Sequence, residues 1–227
     1  MVAKTSRKPL SRERVLATAV SLADREGIQA VTMRRLGADL HVEAMSLYYH
    51  LPGKDALLDG LVESVVAELT TAAGHLDSDD RDWRGRLRQQ FLSARDVMLR
   101  HPWAPGVFGT RRTIPAGLFA YYDGIVGTLV GAGFSYHLAH RALHAFGSLP
   151  LGFAQETFSP ASAGGSMEDG AAEADLAAMA EAMPHLTAMV AAEMHDSAGD
   201  MLGWCDSQAE FEFTVDLLLD GLARLRG

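Results

Sequence analysis

The chain has 227 residues, a formal charge of −9, 48% hydrophobic residues and a single cysteine. That length can bury a core of ordinary size, and an apolar content near one half with 22% charged residues excludes a disordered or collagen-like chain. Cys205 has no intramolecular disulfide partner and the start MVAKTSRKPLSRER lacks the apolar stretch of a secretory signal, so a reducing cytoplasm is the expected compartment.

The charge is unevenly spread. Residues 1–54 hold nine Lys/Arg against five Asp/Glu, a net +4, whereas residues 55–227 hold 11 against 24, a net −13. A negative total therefore does not argue against a polyanionic partner for the basic end. The longest apolar stretch, Leu118 to Phe134, carries Asp123 and several glycines and falls short of the roughly 20 apolar residues that cross a bilayer.

Helical spacing begins at Arg12. Val15, Leu16, Ala19, Leu22 and Ala23 recur on one face up to Glu26, with Ser11 as N-cap and Gly27 as stop. Thr32 caps a short second helix from Met33 to about Leu40. A third short helix starts near Glu43 or Ala44 and runs to about His50, where Leu51-Pro52-Gly53 breaks the pattern. From Lys54 to about Ala73 a longer helix carries Leu57, Leu58, Leu61, Val65 and Leu69 along one side, and the polar run Asp77 to Asp82 is a loop.

Further helices are predicted over about 83–100, 115–132, 136–156, 174–194 and 206–225. Pro150, inside the 136–156 helix, removes a backbone hydrogen bond and should kink or interrupt it. Residues 159–170, rich in Ser, Ala, Gly and acid, read as a mobile loop. The last helix repeats Phe211, Val215, Leu218, Leu222 and Leu225 in a seam that can pack within the chain or against a partner helix. No alternating strand pattern or tandem repeat competes, so an all-α fold is predicted, with a head over residues 1–54 and a larger helical body over 55–227.

Three short helices with a tight turn between the second and third are the layout of a helix-turn-helix DNA reader. Leu36, Leu40, Val42 and Leu47 supply its small core and leave Arg34, Ser46, Tyr48, Tyr49, His50 and Lys54 facing outward. Arg34 can bind guanine O6 and N7 or a phosphate, the tyrosine hydroxyls can reach phosphate oxygens, and Lys54 puts a point charge at a helix N-terminus where backbone amides also attract phosphate. One ring of the tyrosine pair is expected to pack mostly in the local core. Lys4, Arg7 and Lys8 form a basic arm that tracks a groove or stays a solvated tail.

Through Leu47-Tyr48-Tyr49-His50, Pro52-Gly53-Lys54 and Ala56-Leu57-Leu58, residues 11–62 resemble the TetR family of bacterial one-component transcriptional regulators. A second resemblance, to the tetracycline-repressor type of body, runs through Phe108-Gly109-Thr110-Arg111, Gly133-Phe134-Ser135 and Leu151-Gly152-Phe153-Ala154-Gln155-Glu156. The resemblance implies a homodimer that holds a partly palindromic operator in double-stranded DNA and is released by a small-molecule effector. It implies groove or backbone contacts at Met33 and Arg34, base-facing positions at Ala44, Met45 and Ser46, and phosphate or sugar contacts at Tyr48, Tyr49, His50 and Lys54. Ala44 and Met45 offer only apolar contact, for example to a thymine methyl. His41 stands where the family usually has a turn glycine; histidine enters left-handed backbone more readily than most residues, so the turn should survive with some strain.

For the body, the resemblance implies a mainly apolar ligand pocket drawn from Gln90, Ala94, Val107, Phe108, Thr110, His140, Leu143, His144 and Glu156. It assigns dimerisation to the 136–156 and 206–225 helices as a four-helix bundle. The tetracycline type carries a magnesium-chelate histidine just before its Gly-Thr-Arg, where this chain has Val107 or Phe108, and a second drug-contacting histidine is replaced by Thr70, although Glu156 is retained. Neither Val107 nor Phe108 can ligate a metal, so no magnesium–tetracycline effector and no cofactor are expected. His137, His140 and His144 fall on roughly one helix face and define the competing reading, an all-helical metalloenzyme. No carboxylate stands beside them at ligand spacing, and no nucleophile and base arrangement accompanies them.

Overall fold

The computed structural model describes residues 9–74, 82–153, 180–193 and 207–226. Among them the regular elements are α1 (Arg12–Glu26), a 3-10 turn (Ile28–Ala30), α2 (Met33–Leu40), α3 (Ala44–Leu47), α4 (Lys54–Gly74), α5 (Trp83–Arg100), α6 (Ala104–Phe108), α7 (Ala116–Gly131), α8 (Tyr136–Gly147), α9 (Leu149–Phe153), α10 (Pro184–Glu193) and α11 (Ser207–Arg224). The fold is all-α, as the periodicity predicts, and among the described residues no helix is long and apolar enough to cross a membrane. Residues 1–154 with 219–227 form one compact unit and residues 155–218 a second.

The head follows from its caps. Ser11 Oγ accepts from the Arg14 amide at 3.3 Å to start α1, and Gly27 ends it at φ 81°. Thr32 Oγ1 accepts from the Arg35 amide at 3.2 Å to start α2. At its end His41 sits in left-handed backbone, φ 57° and ψ 44°, the one non-glycine with positive φ among the described residues. The expected turn therefore forms, closed by His41 N donating to Ala38 O at 3.1 Å and Val42 N to Gly37 O at 2.9 Å. Gly37 is required for a different reason: a Cβ there would stand 2.9 Å from the Val42 carbonyl oxygen and 3.2 Å from the Ala44 amide.

The third helix is shorter than predicted. Its regular part ends at Leu47, and both His50 N and Leu51 N bond to the Leu47 carbonyl at 2.9 Å, which turns residues 48–50 out of the helix. Pro52 disfavours helix at Leu51, and burial of Leu51 holds the turn in place.

Helix α4 is the spine of the larger unit and packs on α1, α5, α6 and α7. Gly60 lets Leu16 of α1 lie directly against it, and Gly117 lets α7 approach Val66. Val15, Leu16, Ala19, Leu22, Leu36, Leu47, Leu57 and Leu61 are buried at the head end; Val65, Val66, Leu69, Leu87, Phe91, Ile125 and Phe146 are buried in the body. The 3-10 turn and α6 were not predicted, because three and five residues are too few to show a period. The 136–156 helix is interrupted at Ser148, as Pro150 requires, giving α8 and α9.

Helix α11 corrects the predicted seam. Its buried residues are Phe211, Val215, Leu219 and Leu222, while Leu218 is half-buried and Leu225 is 67% exposed. A straight helix turns once in 3.6 residues, so a 4-3-4-3 apolar repeat drifts around it and the inward line moves to the next leucine. The predicted 174–194 helix is represented by α10, whereas the 159–170 loop lies outside the described residues.

Replacing Gly37 with Ala should lower stability by about 1–3 kcal/mol, because the obstacle is backbone and cannot rotate away. Urea denaturation reads this as a lower midpoint; an unchanged midpoint would show that the turn widens freely.

Candidate functional site

With Leu47 turned inward, α3 and the turn after it present a compact outer face. Met45 is 76% exposed and Tyr49 94%, Ser46 is exposed, and Ala44 and His50 are half-buried. Arg34 and Lys54 are exposed and Met33 is half-buried. Tyr48, at 44%, is exposed as well, so neither tyrosine is a core residue; Leu47 and Leu51 fill the place reserved for one of them. Arg35 is committed elsewhere: its guanidinium bonds both oxygens of Glu26 at 2.7 and 2.9 Å and Asp39 at 3.2 Å. Of the arginine pair, Arg34 is the one outside this network.

The start of α4 is tied to the body by Arg111, whose Nη1 lies 3.2 Å from Asp55 and 3.3 Å from Asp59. Arg111 closes the Phe108-Gly109-Thr110-Arg111 run, which begins at the wall of a small, mostly apolar cavity of about 50 Å³. That cavity is lined by Leu69, Phe91, Ala94, Met98, Phe108, Leu118, Tyr121, Tyr122, Ile125, Phe146, Gly147, Pro150 and Leu151. Phe91 and Phe146 stack face to face, centroids 4.6 Å apart. Burial pushes the Tyr121 phenol up, so the hydroxyl stays neutral; the Gln90 amide works against that shift without making a hydrogen bond of full geometry, and the oxygen is left unpartnered.

Of the residues expected in the pocket, Ala94 and Phe108 line the cavity and buried Gln90 acts on Tyr121 at its edge. Val107 is buried within α6 without reaching it, and Leu143 is half-buried on α8. The Thr110 hydroxyl instead donates to the Val107 carbonyl at 2.8 Å. His140 and His144 lie on the exposed face of α8, their rings edge to face at 4.7 Å, because Ala139, Ala142 and Phe146 are the inward side of that helix. Glu156 lies outside the described residues. Leu118, Tyr121, Tyr122 and Ile125 were missed, although their i, i+3, i+4, i+7 spacing on one helix was a readable signal. Among the described residues no group of three or more His, Cys, Asp or Glu could hold a metal ion, and the His137, His140, His144 reading is left without further ligands.

A helix-turn-helix head on a helical body with an internal apolar cavity defines the class of one-component DNA-binding regulators. Residues 15–61 match the family described as bacterial regulatory proteins, tetR family, and residues 77–226 match the tetracyclin repressor-like, C-terminal domain. Tetracycline repressor protein class C from Escherichia coli is 31% identical over 218 residues, 96% of this chain and 92% of that protein. An HTH-type transcriptional regulator from Saccharopolyspora erythraea is 31% identical over 128 residues, and there the match spans 56% of this chain and 52% of that relative. The crystal structure of a possible TetR family transcriptional regulator from Streptomyces coelicolor A3(2) superposes with a TM-score of 0.74 at 32% identity, covering 95% of this chain and 100% of that one. The chain belongs to the TetR family of transcriptional regulators; it is a regulator and not an enzyme.

Replacing Tyr121 with Phe removes a buried hydroxyl that lacks a partner, and should raise stability by about 1 kcal/mol. Thermal denaturation checks this; a lower midpoint would show that the hydroxyl is bonded in solution.

Proposed function

We propose that the protein represses transcription as a homodimer, with residues 1–54 reading a partly palindromic operator and residues 55–227 binding the effector and the partner subunit. The observation that carries the DNA reading is the set of exposed residues Arg34, Met45, Ser46, Tyr48, Tyr49 and Lys54 on a head of net +4, against a body of net −13. Met33, Arg34, Ala44, Met45 and Ser46 face the groove, and Tyr48, Tyr49, His50 and Lys54 contact the backbone. The acidic body repels DNA and favours approach head first.

The effector is a largely apolar small molecule taken up where the small cavity now lies. A drug-sized ligand needs roughly 300–1,000 Å³, far above the present space, so binding selects a conformation with α5, α6 and α7 parted, and the head shifts only by the ligand's preference for that state. The relatives named as tetracycline repressors do not fix the effector. Val107 or Phe108 stands where a magnesium-chelate histidine is expected, and the Thr70 hydroxyl is used internally, donating to the Val66 carbonyl at 2.9 Å.

Dimerisation uses α8, which exposes Tyr136, and α11, which exposes Phe213 and Leu217. Leu217→Glu should give monomers by light scattering and abolish operator binding, because two recognition helices must engage successive major grooves together; a dimeric variant would contradict the interface.

Selection of duplexes from a random pool followed by footprinting tests the DNA reading. Arg34→Ala and Lys54→Ala should each weaken binding to the enriched duplex and reduce the slope of log affinity against log salt by about 1. Unchanged affinity and slope would remove these residues from the interface.

A further inference from the structure

The joint between α1 and the corner from α5 to α6 is built around one buried histidine. His101, 4% exposed, directly follows α5. Its Nδ1 lies 2.8 Å from Asp24 Oδ1 on α1, and its Nε2 lies 3.2 Å from Glu68 Oε1 on α4. Trp103 Nε1, at the N-cap of α6, donates to the same Asp24 oxygen at 2.7 Å, and Arg100 of α5 donates to Glu68 Oε2 at 2.9 Å. Four helices of the larger unit therefore meet at one side chain.

Both ring nitrogens face carboxylate oxygens. A neutral imidazole has one N–H, and whichever nitrogen lacked it would turn a lone pair toward a carboxylate; only the imidazolium donates to both. Glu68 supplies no proton of its own: partial burial works against its charge, but the hydrogen bonds from Arg100 and His101 outweigh this and hold its carboxyl below the usual range. With His101 charged, two cations balance two carboxylates. Without the proton, two carboxylates share one cation, the Arg100 guanidinium. The site opens onto a groove between α1 and α4, through which protons exchange with solvent. Its other charged residues are Glu13, and Arg12 and Glu63 paired to each other at 2.6 Å.

The joint is also strung across the cavity wall. Met98 and Phe108 both line the cavity, and Arg100, His101 and Trp103 lie between them in the chain. We propose that His101 is a proton-loaded positioning residue that fastens α1 of the head to α4 and the α5–α6 corner, so that DNA binding weakens as the ring loses its proton. This rests on the reading of residues 1–54 as the DNA head. His101 touches neither DNA nor effector in this account and acts through Asp24 and Glu68.

Two measurements on the full-length chain test the proposal. In ¹⁵N-histidine-labelled protein at about pH 6, the resonances lost in His101→Gln should be those of two protonated ring nitrogens; one protonated and one bare nitrogen would overturn the proposal. Affinity for the duplex that the wild type enriches from a random pool should fall, between about pH 6 and about pH 8.5, about tenfold further in wild type than in His101→Gln. Equal pH profiles would overturn it. Asp24→Asn, which keeps an acceptor for Trp103 but removes a charge facing the ring, should also flatten the profile and serves if His101→Gln does not fold. Trp103→Phe should weaken binding equally at every pH; a flattened profile there would mean that the joint is merely structural. If the wild type enriches no duplex, the DNA reading fails, and the ring-nitrogen spectrum alone decides the charge of the joint.

Discussion

Helix α4 packs on α1 as well as on α5, α6 and α7, so a single rod of 21 residues, about 31 Å long, is part of two cores. A head of some 54 residues has too little interior to be robust on its own, and Leu57 and Leu61 of α4 supply buried apolar surface at its open end, each side chain contributing about 2 kcal/mol. Val65, Val66 and Leu69 do the same for the body. Neither core can be repacked without moving the same helix. Three polar ties repeat the constraint: Arg12 to Glu63, Arg111 to Asp55 and Asp59, and Asp24 to His101 and Trp103.

That arrangement relates the cavity to the outer face of α3. Leu69 at the end of α4 lines the cavity, and Lys54 at its start stands beside the exposed turn that carries Tyr48 and Tyr49. In the proposed mechanism, a displacement that opens the cavity acts on one end of α4, and the other end sets the position of the head. The unpartnered Tyr121 hydroxyl is costly in the closed state, and it is the kind of group whose cost a polar ligand atom removes. Under the proposed function, closed packing and ligand uptake are opposed in the same few side chains, as a two-state regulator requires.

The head was largely legible because its signals are local. Ser11 and Thr32 cap helices where their side chains predict, Leu36, Leu40 and Leu47 face inward at helical spacing, and His41 takes the left-handed turn expected of it. The tyrosine pair was misjudged because the helix ends at Leu47, and beyond that point periodicity no longer says which side faces in. The body was less legible. Its cavity is assembled from α4, α5, α6, α7, α8 and α9, and only tertiary packing shows that Tyr121 and Phe91 join it while His140 and His144 face away. Position-by-position resemblance puts Ala94, Phe108 and Thr110 in one pocket; Ala94 and Phe108 line the cavity, whereas the Thr110 hydroxyl donates to the Val107 carbonyl. In α11 the buried line runs through Leu219 rather than Leu218 and leaves Leu225 exposed, since a repeat of hydrophobic residues does not fix the phase of a straight helix. His101 gave no signal at all: one histidine before a proline acquires meaning only when Asp24 and Glu68 are brought to its two nitrogens.

The central claim is that α4 makes the head and the adjoining body helices one cooperative structure. Native-state hydrogen exchange tests it most directly, because it reports the opening free energy of each helix separately. The account predicts that core amides of α1, of both halves of α4 and of α5 exchange through one opening, with a common free energy and a common denaturant dependence. Exchange of α1 and the first turns of α4 through a separate, lower-energy opening, with the second half of α4 and α5 still protected, would contradict it.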